Sequence, residues 1–352
     1  WSGVSLVVSP WIALLADQIA TVSEEGIPAA SLNSSMGVKE TRLVKEGLSE
    51  KKYKLLYIAP ETLLNEELLV FLLQTNNISL IAIDECHVIS SWGTSFRPKY
   101  RKLAELKDYF PDIPFIALTA TLNKIGTQDV IDTLKMDSPV KFIHSLDRPS
   151  IQYNVFMKTD SNKQIVSIID RHINKAGIIY CSTVSQVDEL CTYLQYKGYN
   201  CKPYHSKLKK KEKETILDDY LKGDIDIIVA TIAFGMGIDK VDIRFVIHNN
   251  LPSSVDAYLQ ETGRAARDGK KSSAYLLYDS DDKGLYKFLW NKTIKNPVSL
   301  KIVNTQLEKL DNILTNTYQC RRKLLLKEFD EDIEDCGNCD VCLNYYTLKD
   351  SL

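Results

Sequence analysis

The feature that most constrains the fold is a continuous apolar run, Ile78–Ile83, that ends at two adjacent carboxylates, Asp84 and Glu85. Such a run predicts a strand buried on both faces of a parallel sheet. Open α/β sheets bind ligands at the carboxyl ends of their strands. Because charge buried there is costly without a cation or a reaction to serve, the pair indicates phosphate chemistry. Asp84 is suited to bind Mg²⁺, and Glu85 is suited to deprotonate an attacking water.

A segment with glycine and proline follows the acid pair and contains Trp92, Phe96, Arg97 and Tyr100. Aromatic side chains and a guanidinium in such a loop are typical of platforms on which unpaired bases stack. The alternative is that the aromatic side chains pack in the core and that the Asp-Glu pair is incidental. The loop therefore favours single-stranded nucleic acid as a partner, with the core alternative left open.

The rest of the chain alternates strand-like and helix-like segments twice, which predicts two α/β lobes with parallel sheets. The strands predicted from apolar runs are Ser5–Val8, Leu55–Ala59, Ile78–Ile83 and Phe115–Leu118, then Gly177–Cys181, Asp226–Ala230, Phe245–His248 and Ala274–Tyr278. A linker is predicted at Ser145–Pro149, and strand signals disappear from Gly284. We therefore predict lobes at residues 1–146 and 147–280 and a helical module at 281–352.

The net charge does not indicate a nucleic-acid partner, because 44 Lys and Arg are balanced by 46 Asp and Glu, which gives a net charge of −2. A nucleic acid would have to be held by a local groove. The lysine run at 207–213 is interleaved with Glu212 and Glu214, which favours a solvated helix face. No apolar run approaches about 18 residues, so no membrane partner is predicted.

Four of the eight cysteines lie near the C-terminus in a Cys-x₁₅-Cys-x₂-Cys-x₂-Cys pattern: Cys320, Cys336, Cys339 and Cys342. The pattern predicts a structural Zn²⁺ site, since four thiolates leave no open coordination position. A metal site rather than a disulfide framework indicates a reducing, intracellular compartment. The other four, Cys86, Cys181, Cys191 and Cys201, are expected in the core.

Taken in order, these segments resemble the RecQ family of superfamily 2 DNA helicases over essentially the whole chain. The segments that carry the resemblance are Val7–Leu14, Tyr57–Glu61, Asp84–His87, Ala117–Thr121, Asp147–Pro149, Gly177–Cys181, Ala230–Lys240, Tyr258–Gly269 and the cysteine pattern. The resemblance implies two RecA-like lobes followed by a zinc-binding module. It also implies ATP-dependent 3′→5′ unwinding of DNA, with single-stranded and duplex DNA and ATP as partners and a role in recombination, repair or replication. The location implied is the nucleus in a eukaryote, or the cytoplasm and nucleoid in a bacterium.

In this family ATP binds between the lobes, with Mg²⁺ at Asp84. Arg264 and Arg267 are three residues apart and would share one face of a helix, from which two guanidiniums can meet one phosphate. As arginine fingers they would be worth about 10³–10⁵ in rate. His87, Gln260 and Asp239 are expected to sense the nucleotide or to couple it to DNA.

DNA contacts are expected from Trp92, Phe96 and Arg97, and from the Thr231 hydroxyl at a strand end. Gly235 and Gly237 are expected to let the backbone approach a ligand closely.

The sequence departs from the family pattern at three places. It contains no Gly-x-x-x-x-Gly-Lys-Ser/Thr phosphate loop, and since the family has that loop before Val7–Leu14, we expect an N-terminal truncation that impairs ATP hydrolysis by this chain. Thr94-Ser95 stands where the family has His-Asp, and Ala266 replaces a glycine, which a helix should tolerate. Two alternatives remain: a nucleotide-independent DNA-binding or scaffold protein derived from a helicase, and an RNA helicase of the same superfamily, which the zinc pattern disfavours.

Overall fold

The computed structural model describes residues 3–10, 12–34, 36–90, 98–232, 234–235 and 239–344, with the backbone alone for 12–17 and 98. The chain divides into two compact units, Trp1–His144 and Ser145–Leu352. Within the described part of the chain, no helix is long and apolar enough to cross a bilayer.

The first unit is built on a parallel sheet flanked by helices. Its strands are β1 (Val4–Val8), β2 (Ala29–Leu32), β3 (Leu55–Ile58), β4 (Ile78–Ile83) and β5 (Phe115–Ala117), in the order β2-β3-β1-β4-β5. Its helices are α1 (Ile12–Glu24), α2 (Val38–Ser49), α3 (Pro60–Leu63), α4 (Glu66–Thr75), α5 (Pro98–Arg101), α6 (Leu106–Tyr109) and α7 (Lys124–Thr133), with 3₁₀ turns at Cys86–Ile89 and Lys102–Glu105.

β4 has the bounds that its apolar run predicts and lies between β1 and β5. Ile81 and Ile83 are fully buried, as expected for a strand covered on both faces. The Asp84 amide donates to the Val8 carbonyl oxygen at 2.9 Å. This bond places the acid pair at the carboxyl edge of the sheet.

The second unit contains a larger parallel sheet. Its strands are β6 (Ile151–Met157), β7 (Ala176–Tyr180), β8 (Cys201–Tyr204), β9 (Ile227–Ala230), β10 (Ile243–His248) and β11 (Ser272–Tyr278), in the order β6-β11-β10-β7-β9-β8. Its helices are α8 (Ser161–Asp170), α9 (Val184–Tyr196), α10 (Lys210–Lys222), α11 (Val255–Thr262), α12 (Asp282–Thr293), α13 (Pro297–Thr315) and α14 (Arg321–Lys327).

The helical C-terminal segment packs into the core of the second sheet. Leu307 and Leu310 of α13, Leu325 of α14 and two of the clustered cysteines belong to the same buried apolar cluster as residues of β6, β7 and β10. The predicted fold class, two parallel α/β lobes with a zinc-binding helical module, is confirmed. The three domain bounds given above stay a prediction.

Candidate functional site

The acid pair lies at a sharp turn out of β4. Glu85 has φ +51°, in the left-handed region, and its amide donates to Asp84 Oδ1 at 2.9 Å. A residue with a Cβ is uncommon in that region, and such strain clusters at active sites. The turn sends the chain directly into the 3₁₀ turn Cys86–Ile89 and leaves both carboxylates at the strand end.

Burial and the nearby Glu85 charge raise the pKa of Asp84, while the Glu85 amide and His87 act in the opposite direction. A carboxylate whose ionised form is destabilised in this way gains from a nearby cation. Oxygen ligands of this kind are what Mg²⁺ prefers. Asp84 therefore fits the predicted role of metal ligand.

His87 joins two strand ends. Its Nδ1 atom lies 3.2 Å from Glu85 Oε2 and 3.0 Å from the Thr119 hydroxyl, which follows β5. The Thr119 hydroxyl also lies 3.4 Å from the Thr121 carbonyl oxygen. His87 was predicted to sense the nucleotide or to couple it to DNA, and that role stays a prediction. Thr119 was not singled out, although the segment Ala117–Thr121 carried part of the resemblance.

The predicted DNA-stacking residues Trp92, Phe96 and Arg97, together with Thr94-Ser95, lie outside the described residues. Tyr100 is fully buried in the core of the first unit, so its assignment to an exposed stacking platform is wrong. Nearby, Arg101 donates to the Ile89 carbonyl oxygen at 3.3 Å and lies 3.2 Å from Asp129 Oδ1 of α7. These contacts fix the residues on the C-terminal side of the loop.

The predicted helical face for Arg264 and Arg267 is also wrong. Helix α11 ends at Thr262, and both arginines lie in a following turn, residues 263–269, which we call the arginine loop. Ala266 has φ +57°, and its amide donates to the Ile243 carbonyl oxygen at 3.1 Å. Ala266 is therefore not in a helix that tolerates it but in a left-handed conformation that disfavours a Cβ.

Arg264 is 8% exposed and packs against the backbone of Gly235. A Cβ added at Gly235 would lie 2.8 Å from the Arg264 Nη2 atom, so the glycine makes room for the guanidinium. The Arg264 Nε atom is buried without a hydrogen-bond partner, and no carboxylate of the described residues pairs with this side chain. A buried cation of this kind suits an anionic ligand such as a phosphate.

Arg267 and Asp239, two of the predicted site residues, form an ion pair with Nη1 and Oδ1 2.6 Å apart. Asp239 is 80% exposed at its side chain, so the pair lies at the surface. Gln260 is partly exposed in α11, and Thr231 is partly exposed just beyond β9, where its amide donates to the Tyr204 carbonyl oxygen at 3.2 Å.

A buried polar pair that the sequence did not indicate lies near the arginine loop. His248 Nε2 lies 2.7 Å from Glu261 Oε2, and the His248 ring stacks on Tyr180 at 5.3 Å. Arg264 is close enough to Tyr180 that its charge opposes the rise in the pKa of Tyr180 that burial causes. The only available signal was that Glu261 lies inside Tyr258–Gly269, a segment that carried the resemblance.

The four C-terminal cysteines come together as their spacing predicts. Their Sγ atoms all lie within 4.8 Å of one another, and Gly337 makes the intervening turn with φ +61°. Backbone amides donate to three of the sulfurs: Lys323 and Cys336 to Cys320, Asn338 to Cys336, and Cys342 to Cys339, at 3.3–3.5 Å. Zn–S bonds of about 2.3 Å in a tetrahedron need sulfurs at such separations, so the site fits Zn²⁺.

Three family models match successive parts of the chain. Residues 2–130 match the DEAD/DEAH box helicase model, 160–269 the helicase conserved C-terminal domain, and 280–343 the RecQ zinc-binding model. The last match covers the four clustered cysteines, so the helical segment is a zinc-binding module.

Similar proteins include the ATP-dependent DNA helicase RecQ of Pasteurella multocida, 38% identical over 98% of this chain and 54% of that protein. The ATP-dependent DNA helicase RecQ of Haemophilus influenzae is 37% identical over 98% of this chain and 55% of that protein. The chain thus spans about half the length of these curated relatives.

Among solved structures, Mycobacterium smegmatis helicase Lhr bound to ssDNA and AMP-PNP matches with TM-score 0.59 at 20% identity, over 80% of this chain and 41% of that one. That likeness concerns the fold alone. The order of the three family models and the identity to the two RecQ proteins point to the same assignment as the geometry of the cysteine cluster. The chain belongs to the RecQ family of helicases.

Proposed function

We propose that the protein is an ATP-dependent DNA helicase that unwinds duplex DNA in the 3′→5′ direction, in recombination, repair or replication. The observation that carries this proposal is the acid pair with its histidine: Glu85 sits strained beside Asp84 and 3.2 Å from His87. This arrangement is suited to activating a water molecule that attacks a phosphate. Positioning and electrostatic stabilisation of this kind supply most of the catalysis of phosphoryl transfer.

Each group has a proposed role in ATP hydrolysis. Glu85 accepts the proton of the attacking water, and Asp84 would hold Mg²⁺, which when bound would neutralise phosphate charge. Arg264 and Arg267 add positive charge at the γ-phosphate. The absence of a carboxylate partner for Arg264 among the described residues supports this role, since the guanidinium keeps its capacity for a phosphate.

Coupling to DNA is proposed to run through His87. Its contacts to Glu85 and Thr119 mean that a small shift of the histidine changes the surroundings of the water-activating carboxylate. Trp92 and Phe96 would stack on unpaired bases, with Arg97 and Thr231 on phosphates, and Gln260 and Asp239 would respond to the nucleotide. Stacking of this kind is worth about 1–3 kcal/mol per base.

The competing function is a nucleotide-independent DNA-binding scaffold, and the substitution Glu85→Gln in the full-length protein separates the two. We expect the variant to bind ATP and DNA but to hydrolyse ATP at least about 100-fold more slowly, since only the base is lost. The exposed Glu67→Gln is the matched control and should behave as wild type.

Trp92→Ala should reduce the stimulation of hydrolysis by single-stranded DNA, because the proposed stacking on unpaired bases is lost.

The measurements are ATP hydrolysis with and without single-stranded DNA, and strand separation of DNA and RNA duplexes with 3′ or 5′ tails. Hydrolysis that Glu85→Gln leaves unchanged would remove Glu85 from the mechanism. Tight DNA binding without any wild-type hydrolysis would favour the scaffold.

A further inference from the structure

A side chain outside the acid pair and the arginine loop holds that loop in shape. Arg148 donates from Nη1 to the Gly263 carbonyl oxygen at 3.0 Å, and from Nη2 to the Ala265 and Ala266 carbonyl oxygens at 2.9 Å each. These three carbonyls lie on both sides of Arg264 and directly before Arg267. The planar guanidinium presents its donors in a fixed fork, so the three bonds together specify one loop geometry.

The loop needs such restraint because it is strained. Ala266 occupies the left-handed region with φ +57°, where a Cβ is unfavourable, and a conformation of that kind persists only when its surroundings over-determine it. On its other side, the loop is held by the Asp268 carboxylate, which lies 3.0 Å from Arg244 Nη1, and by the Asp268 amide, which donates to the Val241 carbonyl oxygen at 3.2 Å.

The segment that carries Arg148 is itself clamped by the zinc-binding module. Arg322 lies 3.3 Å from Asp147 Oδ1 and donates to the Pro149 carbonyl oxygen at 3.4 Å. Asn338, inside the cysteine cluster, donates to the same carbonyl oxygen at 3.2 Å. Glu331 accepts from the Leu146 amide at 2.9 Å. The module thus fixes the main chain on both sides of Arg148.

We propose that Arg148 is a positioning residue for ATP hydrolysis, which sets the geometry of Arg264 and Arg267, and that the zinc-binding module supports hydrolysis through this residue. The proposal rests on the proposed function in assigning the two arginines to the phosphate. A displacement of about 1 Å in a positioning group can cost on the order of 100-fold in rate, so the contacts of Arg148 matter beyond stability.

The loop geometry is tested directly by hydrogen exchange on the 352-residue chain. In Arg148→Ala, the Ala266 and Asp268 amides should exchange roughly 10-fold faster or more, because the loop opens locally. Arg148→Lys, which keeps the charge but lacks the fork, should give an intermediate rate. The matched control is Ile165→Val in the buried face of α8, which lowers stability without touching the loop and should leave these two amides unchanged relative to the rest of the unit.

Catalysis is tested in the full-length protein. Arg148→Ala should lower kcat by roughly 10- to 100-fold with little change in KM for ATP, and Arg148→Lys should recover part of it. Binding of ADP should be unaffected, while binding of ADP with aluminium fluoride, which mimics the transferred phosphoryl group, should weaken by about the same factor as kcat.

The inference is overturned if loop exchange in Arg148→Ala matches Ile165→Val, or if kcat falls only as far as the folded fraction does. A wild-type protein without ATP hydrolysis would instead refute the proposed function, and the exchange rates would still decide whether Arg148 holds the loop.

Discussion

The two units differ in how one edge strand of each parallel sheet is covered. At the β5 edge of the first sheet, Ile116 of β5 and Leu118 just after it are 44% and 48% exposed. At the end of the second sheet, β6 is covered by the zinc-binding module. The Val155 amide donates to Asp340 Oδ2 at 3.1 Å, and the Asp340 amide donates to the Tyr153 carbonyl oxygen at 3.0 Å. One aspartate thus satisfies a donor and an acceptor of an edge strand.

Exposed apolar edges invite pairing with other chains, whereas covered edges do not. The zinc-binding module of this protein therefore also acts as an edge cap for β6. Its cysteines hold Asp340 in the Cys339–Cys342 turn, where it can reach β6. The module therefore belongs to the structure of the second lobe, consistent with their common apolar core.

Ion pairs show the same contrast. In the second unit, Arg321 Nε lies 2.5 Å from Asp340 Oδ1 with both side chains at most 2% exposed, and Arg321 also donates to the Leu314 carbonyl oxygen at 2.8 Å. In the first unit, Arg42 and Glu46 pair at 2.7 Å, but their side chains are 80% and 50% exposed. The same chemistry is part of the core at Arg321 and Asp340 and a solvated surface feature at Arg42 and Glu46.

The largest expected effect comes from removing a zinc ligand. Cys339→Ser should lose the bound Zn²⁺ and with it a folding contribution on the order of 10 kcal/mol, so the second unit should unfold or aggregate through the uncovered β6 edge. Metal analysis of purified protein should find about one Zn²⁺ per wild-type chain and none in the variant. Solubility and circular dichroism report the fold.

The control is Cys86→Ser, at a buried thiol of the first unit whose pKa burial raises to about 12, as expected for an unreactive core residue. This variant should keep its zinc. If Cys339→Ser stayed soluble and folded without metal, the edge-cap role of the module would be wrong.

A smaller effect is expected from the buried ion pair. Arg321→Leu should cost about 3–5 kcal/mol, because Asp340 is left as a buried charge and the last carbonyls of α13 lose a donor. Arg42→Leu is the matched substitution at the exposed pair and should leave the unfolding midpoint nearly unchanged. Urea unfolding followed by circular dichroism measures both, and equal losses in the two variants would remove the contrast between the units.

Local apolar runs predicted most of the strands, and the strands that were missed lack such runs. Gln152 and Asn154 interrupt β6, and Asn154 is nevertheless buried and donates to the Ala274 carbonyl oxygen at 3.3 Å. β8 contains Pro203, which suits the edge position that the strand occupies. β2 is only four residues long and begins with two alanines, which have little strand preference.

The contacts of the candidate site likewise fall into those that the sequence predicts and those that only the folded structure shows. Asp84, Glu85 and His87 lie within four residues, so their proximity could be predicted from the sequence. The contacts of Arg264 with Gly235 and of Arg267 with Asp239 depend on the end of α11 and on the left-handed Ala266, which helical spacing cannot reveal. The three bonds of Arg148 span more than 100 residues of chain and required the folded structure.

The smallest expected effect concerns Asp84 of the acid pair, whose ionised form lowers the stability of the first unit. The folded-state pKa of Asp84 is raised above its ordinary value of 3.8, first by burial and then by Glu85. Folding therefore favours protonated Asp84, and its ionisation costs stability at every pH above the folded-state pKa. That cost fades as the pH falls through the folded-state pKa and is absent below the unfolded value.

Asp84→Asn removes the ionisation and keeps an oxygen that can accept from the Glu85 amide. We expect the first unit of this variant to melt at a higher temperature than wild type at pH 7, with the difference closing as the pH falls toward 3.8, the ordinary value. Thermal unfolding across this range, with the exposed Asp112→Asn as control, measures it. A lower melting temperature at pH 7, or a difference independent of pH, would show that Asp84 supports the fold. The contrast between Asp84 of the first unit and Asp340 of the second, which is stabilised by Arg321, would then fail.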